Sequence, residues 1–189
     1  SQVPRQLFAL AGVPFENIGL TPVEFNEFKK KTPFGQMPVL FVDGKPIPQS
    51  FAINRYIANQ YGMAGKTPFE AAWVDAIADQ FKVDYLLLME HILYRDGFRI
   101  SQSEITVNTT KKRIGDIILF FLILQQYFQK NGTGFIVGDS VTWIDVLIAN
   151  ATDYITLEEK DLLNDYPEIL AHKEKIHSLP ALKKWLEIR

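Results

Sequence analysis

No cysteine occurs among the 189 residues of this chain. Disulfides, thiolate nucleophiles and thiolate-held metals are therefore excluded within it. Histidine is scarce, with only His91, His172 and His177 present. None of them shows a metal-ligand spacing, so no metal is expected; His172 and His177 read as solvated side chains. Long apolar runs are also lacking. The longest spans eight residues, Ile117 to Leu124, and is followed by Gln125-Gln126, whereas a bilayer span needs about 20. No membrane partner is expected, and Ser1-Gln2-Val3-Pro4-Arg5 lacks the composition of a signal peptide. Charge of one sign is absent too: 20 Lys and Arg face 22 Asp and Glu, for a net charge of −2. The longest basic stretch, Lys29-Lys30-Lys31, reads as a solvated face, and no nucleic-acid partner is expected.

What the chain does contain is enough apolar material for a sizeable core, at 47% hydrophobic and 22% charged residues. Its texture changes along its length. Residues 1 to 62 are short, turn-punctuated segments, with Pro33, Gly35, Pro38, Gly44, Pro46 and Pro48 close together. Residues 69 to 189 are long helical patterns with few breakers. The join at 63–68, which follows Gly62, contains Gly65 and ends in Pro68, reads as a linker.

In the first part, Val3 to Ala11 is predicted helical, with Pro4 in its first turn and Gly12 as its stop. Phe15 to Leu20 is predicted as a strand. Thr21-Pro22 opens a short helix with Thr21 as N-cap. Asp43-Gly44 lies between the apolar runs 37–42 and 45–47, which is a hairpin signal. Ser50 is expected to cap a helix running to Gln60. In the second part, helices are predicted over 69–93 and 104–129, then from Thr142, Pro167 and Pro180. The middle of 104–129 is apolar on every face and is expected to be buried. Thr142 is expected to accept from the backbone N–H three residues on while the Asp145 carboxylate reaches back, a capping box with Asp in place of Glu. The order is helix, strand, helix, hairpin, helix, then five helices. It implies an α+β domain followed by an all-α domain.

The chemistry concentrates in Thr32-Pro33-Phe34-Gly35-Gln36-Met37-Pro38-Val39-Leu40 and Ile47-Pro48-Gln49-Ser50-Phe51-Ala52-Ile53. Pro38 enters a strand at its first residue, where no ladder donor is needed. If Met37-Pro38 is cis, the Met37 N–H and C=O stand unpaired at the strand end, free to pair with an extended peptide. Gln49 and Ser50 sit at a helix start, whose free N–H groups suit a carboxylate. On the residues alone a plain helix cap is the simpler reading of that pair.

These blocks resemble the glutathione-binding signature of glutathione transferases. Phe135 to Asp145 is similar to the family's capping motif, and the segments from Pro167 and Pro180 to its last helices. Arg5-Gln6-Leu7-Phe8-Ala9, the Pro-Phe-Gly-Gln-Met-Pro box and Val74 to Asp79 look most like the sigma type, as found in nematodes. The resemblance implies a thioredoxin-like N-terminal domain, a helical C-terminal domain, a homodimer and glutathione as co-substrate with small hydrophobic electrophiles. By position, Gln36 and the backbone of Met37, ahead of Pro38, would hold the cysteinyl part of glutathione. Gln49 and Ser50 would hold the γ-glutamyl carboxylate and Lys29 the glycyl carboxylate. Phe25 falls where sigma members often carry Trp, keeping a pocket wall without the indole donor. Asp84, one position from the gapless match at Val83, would reach the neighbouring subunit's glutathione.

The family's first strand and its catalytic tyrosine, which lowers the glutathione thiol pKa, are expected upstream of Ser1; no catalytic residue is assigned within the chain. Tyr85, Tyr94 and Phe98 are candidates for a co-substrate pocket, or for core or dimer contacts. The resemblance also leaves open a glutathione-dependent prostaglandin-type isomerase and a non-catalytic carrier of haem or other hydrophobic ligands. Asn108, Asn131 and Asn150 head three N-x-S/T sequons, which hint at secretion. Asn150 falls in the capped helix, where a glycan would not fit, and a cytoplasmic setting is the expectation.

Overall fold

The computed structural model describes residues 1–95, 119–158 and 160–188, with side chains given outside 83–95 and 158. Its first element, α1 (Gln2–Ala11), buries Val3, Gln6 and Leu7 on one face. Gly12 ends it at φ 66°, a left-handed conformation that glycine adopts without a Cβ penalty. Gly12 N–H donates to Ala9 O at 3.2 Å and Val13 N–H to Phe8 O at 3.1 Å.

The strand expected over 15–20 does not form, and the segment runs as irregular chain. A strand exists only through a partner's hydrogen bonds, and no strand lies beside this one among the described residues. Ile18 is accordingly exposed, and Asn17 instead accepts from Arg5 Nε at 2.7 Å. Thr21 then caps α2 (Pro22–Phe28) in a full capping box. Its hydroxyl accepts from the Glu24 N–H at 3.3 Å, and its own N–H donates to Glu24 Oε2 at 2.7 Å. The carboxyl of Glu24 is held below its ordinary range, first by the Thr21 backbone N–H and then by the Thr21 hydroxyl. A single 3₁₀ turn, Lys29–Lys31, follows.

The hairpin forms as expected. β1 (Val39–Val42) pairs antiparallel with β2 (Lys45–Pro48), in the register Val39 to Pro48 and Val42 to Lys45. Asp43 at φ 49° and Gly44 at φ 77° make the turn, the two positive values a type I′ connection needs.

α3 (Ser50–Gln60) starts differently from expectation. Gln49, not Ser50, occupies the N-cap position, and its side chain makes no capping hydrogen bond. α3 buries Phe51, Ile53, Asn54, Ile57 and Ala58. Its backbone packs on α1, on the hairpin and on the third of the helices that follow.

These are α4 (Pro68–Arg95), α5 (residues 119–131), α6 (Trp143–Glu158), α7 (Pro167–His177) and α8 (Pro180–Ile188). Residues 104–118 of the predicted fifth helix lie outside the described residues. In the remainder, Phe120, Phe121, Leu124 and Phe128 are buried while Leu119, Leu122 and Ile123 are exposed. The expectation of burial on every face fails because packing on α4 and α7 uses one stripe of the helix. Phe81 on α4 meets Phe120 at 5.0 Å, and Gln125 Nε2 donates to Glu168 Oε2 on α7 at 2.6 Å.

Asp145 is fully buried and does more than reach back. Its Oδ2 accepts from the Thr142 N–H at 2.8 Å and from the Thr142 hydroxyl at 2.7 Å. Its Oδ1 accepts from the Ile136 N–H at 2.8 Å and lies 3.0 Å from His172 Nε2. The Thr142 hydroxyl therefore donates to the carboxylate instead of accepting from the backbone, because a carboxylate is the stronger acceptor. His172 is likewise corrected from solvated to buried: it stacks 4.7 Å from Phe128 and meets Asp145. His177 is only 15% exposed at its side chain and stands 3.5 Å from Asp153 Oδ2. Both histidines lie on the inner side of α7, a face that a spacing of five residues does not reveal.

Candidate functional site

The candidate site is built where the hairpin meets α3. The Met37–Pro38 peptide is cis. It delivers the chain into β1 at Val39, and the backbone N–H and C=O of Met37 form no backbone hydrogen bond among the described residues. Met37 is 45% exposed, Pro38 half-buried and Gln36 exposed. β2 then returns the chain to Gln49, whose φ of 74° swings it out of the strand. Gln49 Nε2 donates to Gln36 Oε1 at 3.4 Å. The hairpin thus joins two residues thirteen positions apart into one pair.

Behind them, the first intrahelical bond of α3 runs from the Ile53 N–H to Gln49 O at 2.9 Å. The N–H groups of Ser50 and Ala52 lie in the first turn, which has no intrahelical acceptor for them, and the Gln49 side chain makes no capping hydrogen bond. The Ser50 hydroxyl stands half-buried beside them. Free N–H groups, the positive end of the helix dipole and a hydroxyl together suit a carboxylate. Beside them, the open Met37 backbone can pair with a peptide in extended form.

The remaining sequence-predicted residues are placed less closely. Phe25 lies half-buried on α2, and Lys29 is exposed in the 3₁₀ turn, where its Nζ donates to Asn26 Oδ1 at 3.2 Å. No hydrogen bond joins Lys29 to Gln36 or Gln49 among the described residues. α2 is held to the hairpin by Phe28, whose ring centroid is 6.4 Å from that of Phe41. The side chains of Asp84, Tyr85 and Tyr94, and all of Phe98, lie outside the described residues.

A cavity of about 590 Å³ lies away from this cluster, lined by Gln2, Arg5, Phe15 and Trp185 among others. It is a shallow groove between α1 and α8. Among the described residues that line it, the one cation, Arg5, already donates to Asn17 Oδ1 and to Ser1 O. The open backbone at Met37 and the turn at Gln49 lie away from this groove.

The profile of the glutathione S-transferase N-terminal domain matches residues 1–59, and that of the C-terminal domain matches residues 101–189. The chain belongs to the glutathione S-transferase family. Its fold is the family's, a thioredoxin-like N-terminal domain with a small sheet followed by a helical C-terminal domain. Among relatives of this transferase, "Probable glutathione S-transferase 7" of Caenorhabditis elegans is 39% identical over 194 residues, covering 100% of this chain and 90% of the relative. The crystal structure of a monomeric glutathione S-transferase from the hookworm Necator americanus is 39% identical, with a TM-score of 0.86 over 100% of this chain and 91% of that one. A structure described as a Nu-class enzyme, from Haemonchus contortus, is also 39% identical, with a TM-score of 0.83, covering 100% of this chain and 91% of that one.

Sequence reasoning missed Arg55 in this transferase. It donates from Nε to Asp75 Oδ1 at 2.8 Å and from Nη2 to Asp79 Oδ1 at 2.6 Å. A signal was present in the pair Asp75 and Asp79, which four-residue spacing puts on one face of α4.

Proposed function

We propose that this chain conjugates the thiolate of glutathione to small hydrophobic electrophiles. The observation that carries the reading is the open Met37 backbone beside the uncapped start of α3. Glutathione is a short peptide with a carboxylate at each end and a thiol between them. Its cysteinyl part pairs with the Met37 backbone and lies against Gln36. Its γ-glutamyl carboxylate takes the N–H groups of α3, with Gln49 and Ser50. Lys29 meets the glycyl carboxylate, and Phe25 walls the pocket. Held this way, the thiolate sulfur attacks the electrophilic carbon, a carbon–sulfur bond forms and the leaving group departs with its electron pair.

The sigma assignment belongs to the same proposal and rests on the Pro-Phe-Gly-Gln-Met-Pro box. So does a homodimer in which Asp84 reaches the neighbouring subunit's glutathione. Exposed Phe34, Phe69, Leu119 and Ile123 supply apolar surface for such contact, and sedimentation of the purified protein is expected to show a dimer. A cytoplasmic setting accords with Asn131 and Asn150. The Asn131 amide donates to Phe135 O at 2.9 Å and Gly138 O at 2.7 Å. The Asn150 amide donates to Val146 O at 2.8 Å and also contacts Gln6 Oε1.

The test is turnover of the full-length protein with glutathione and a chlorinated nitrobenzene. Chloride release with formation of the thioether is the expected result. A folded, full-length preparation that converts no model electrophile would sink the proposal.

A further inference from the structure

A carboxylate site made from a helix end works only if that end is held in place. Misplacing bound groups by about 1 Å can cost on the order of a hundredfold in rate. The apolar face of α3 sets its depth in the core, but apolar packing is non-directional. It does not by itself fix rotation about the helix axis or sliding along α1 and α6. One directional contact does.

Arg55 lies five residues after Ser50. Its planar guanidinium bonds two carboxylates one turn apart on α4, Asp75 and Asp79. The same group lies 5.3 Å from the Trp143 ring centroid, at the start of α6. Trp143, itself 1% exposed, also packs edge-on against Phe51 at 5.8 Å and 89°. Phe51 is the residue next to Ser50. Two carboxylates and a ring therefore fix Arg55 at three points, and Trp143 ties that fixture to the first turn of α3.

We propose that Arg55 is a positioning residue, which sets the start of α3 against the helical domain so that the Ser50 hydroxyl and the helix end meet the ligand carboxylate. The inference rests on the glutathione reading above. The exposures favour a geometric role over a stabilising one. The Arg55 side chain is 28% exposed, and those of Asp75 and Asp79 are 46% and 64% exposed. Ion pairs as open as these contribute little to folding. Lysine cannot replace the fork, because one ammonium does not present two fixed donors while stacking on a ring.

The experiment compares wild type, Arg55→Lys, Arg55→Met and the pair Asp75→Asn with Asp79→Asn, each as full-length protein. Calorimetry with S-hexylglutathione, a non-reactive thioether, measures the site directly. For all three variants, affinity for S-hexylglutathione is expected to fall and KM for glutathione to rise by about tenfold, with kcat held within about twofold. The thermal midpoint is expected to fall by less than about 4 °C. Unchanged affinity in the variants overturns the inference. So does a large drop in midpoint with KM unchanged, which is the mark of a merely structural contact. So does full rescue by Arg55→Lys. Failure of the wild type itself to bind S-hexylglutathione overturns the glutathione reading instead, and so separates the two.

Discussion

Asp145→Ala is expected to lower the free energy of unfolding by about 4 kcal/mol, because it strands a set of buried donors at once. The carboxylate has no exposure, and its two oxygens take the N–H of Ile136, the N–H and hydroxyl of Thr142, and His172 Nε2. A carboxylate only accepts, so the facing nitrogen of His172 is the N–H one. Alanine leaves a gap where four donors converge. Each stranded donor costs about 1–3 kcal/mol, and partial collapse or entry of water recovers some of the sum. Asp145→Asn should lose less, since one oxygen remains. Its amide, however, turns a donor toward other donors. Urea unfolding followed by circular dichroism measures both variants. A loss under about 1 kcal/mol would mean that the donors find other partners and that this carboxylate does not hold the 136–142 loop.

The second large effect concerns the ligand. Ser50→Ala is expected to weaken binding of S-hexylglutathione by about 10–100-fold, the value of one hydrogen bond to a charged group. Serine near a helix start usually confounds such a test, because removing it also removes a cap. Here it does not. The N-cap position belongs to Gln49, whose side chain makes no capping hydrogen bond, and the Ser50 hydroxyl caps nothing among the described residues. The thermal midpoint without ligand should therefore stay within about 1 °C of wild type. Calorimetry and a melting curve on the same preparation read the two quantities apart. Unchanged affinity with unchanged stability would place the carboxylate away from Ser50 and count against the site as drawn.

The parts of this fold legible in the sequence are those fixed by local backbone chemistry. Gly12 ends α1, Thr21 and Pro22 start α2, and Asp43-Gly44 turns the hairpin, each for a reason confined to a few neighbouring residues. The opening of α7 and α8 by Pro167 and Pro180 is of the same kind. The candidate site was legible in part: Met37-Pro38 at the strand entry and a helix start near Gln49-Ser50 stand in short motifs, but the sequence left the cis isomer as a condition and placed the cap at Ser50 instead of Gln49. What depended on distant partners was not legible. A strand over 15–20 needs a neighbour to bond with. His172 looks solvated until α7 is laid against Asp145, twenty-seven residues earlier. Leu119, Leu122 and Ile123 look like core because hydropathy does not say which face of α5 has something to cover it. Arg55 belongs to the same class, since its two carboxylates lie twenty and twenty-four residues away.

Gln49 has a consequence of another kind. It is held at φ 74° and ψ 118°, where a side chain is unfavourable and glycine is at ease. A chain selected for durability alone would drift to glycine there, since nearly every accessible gain in backbone comfort points that way. Keeping glutamine at that position sets stability against the work of the side chain. With Gln49 holding glutathione as proposed, the two pull in opposite directions there, and a library screened only for heat resistance is expected to erode ligand binding at this position.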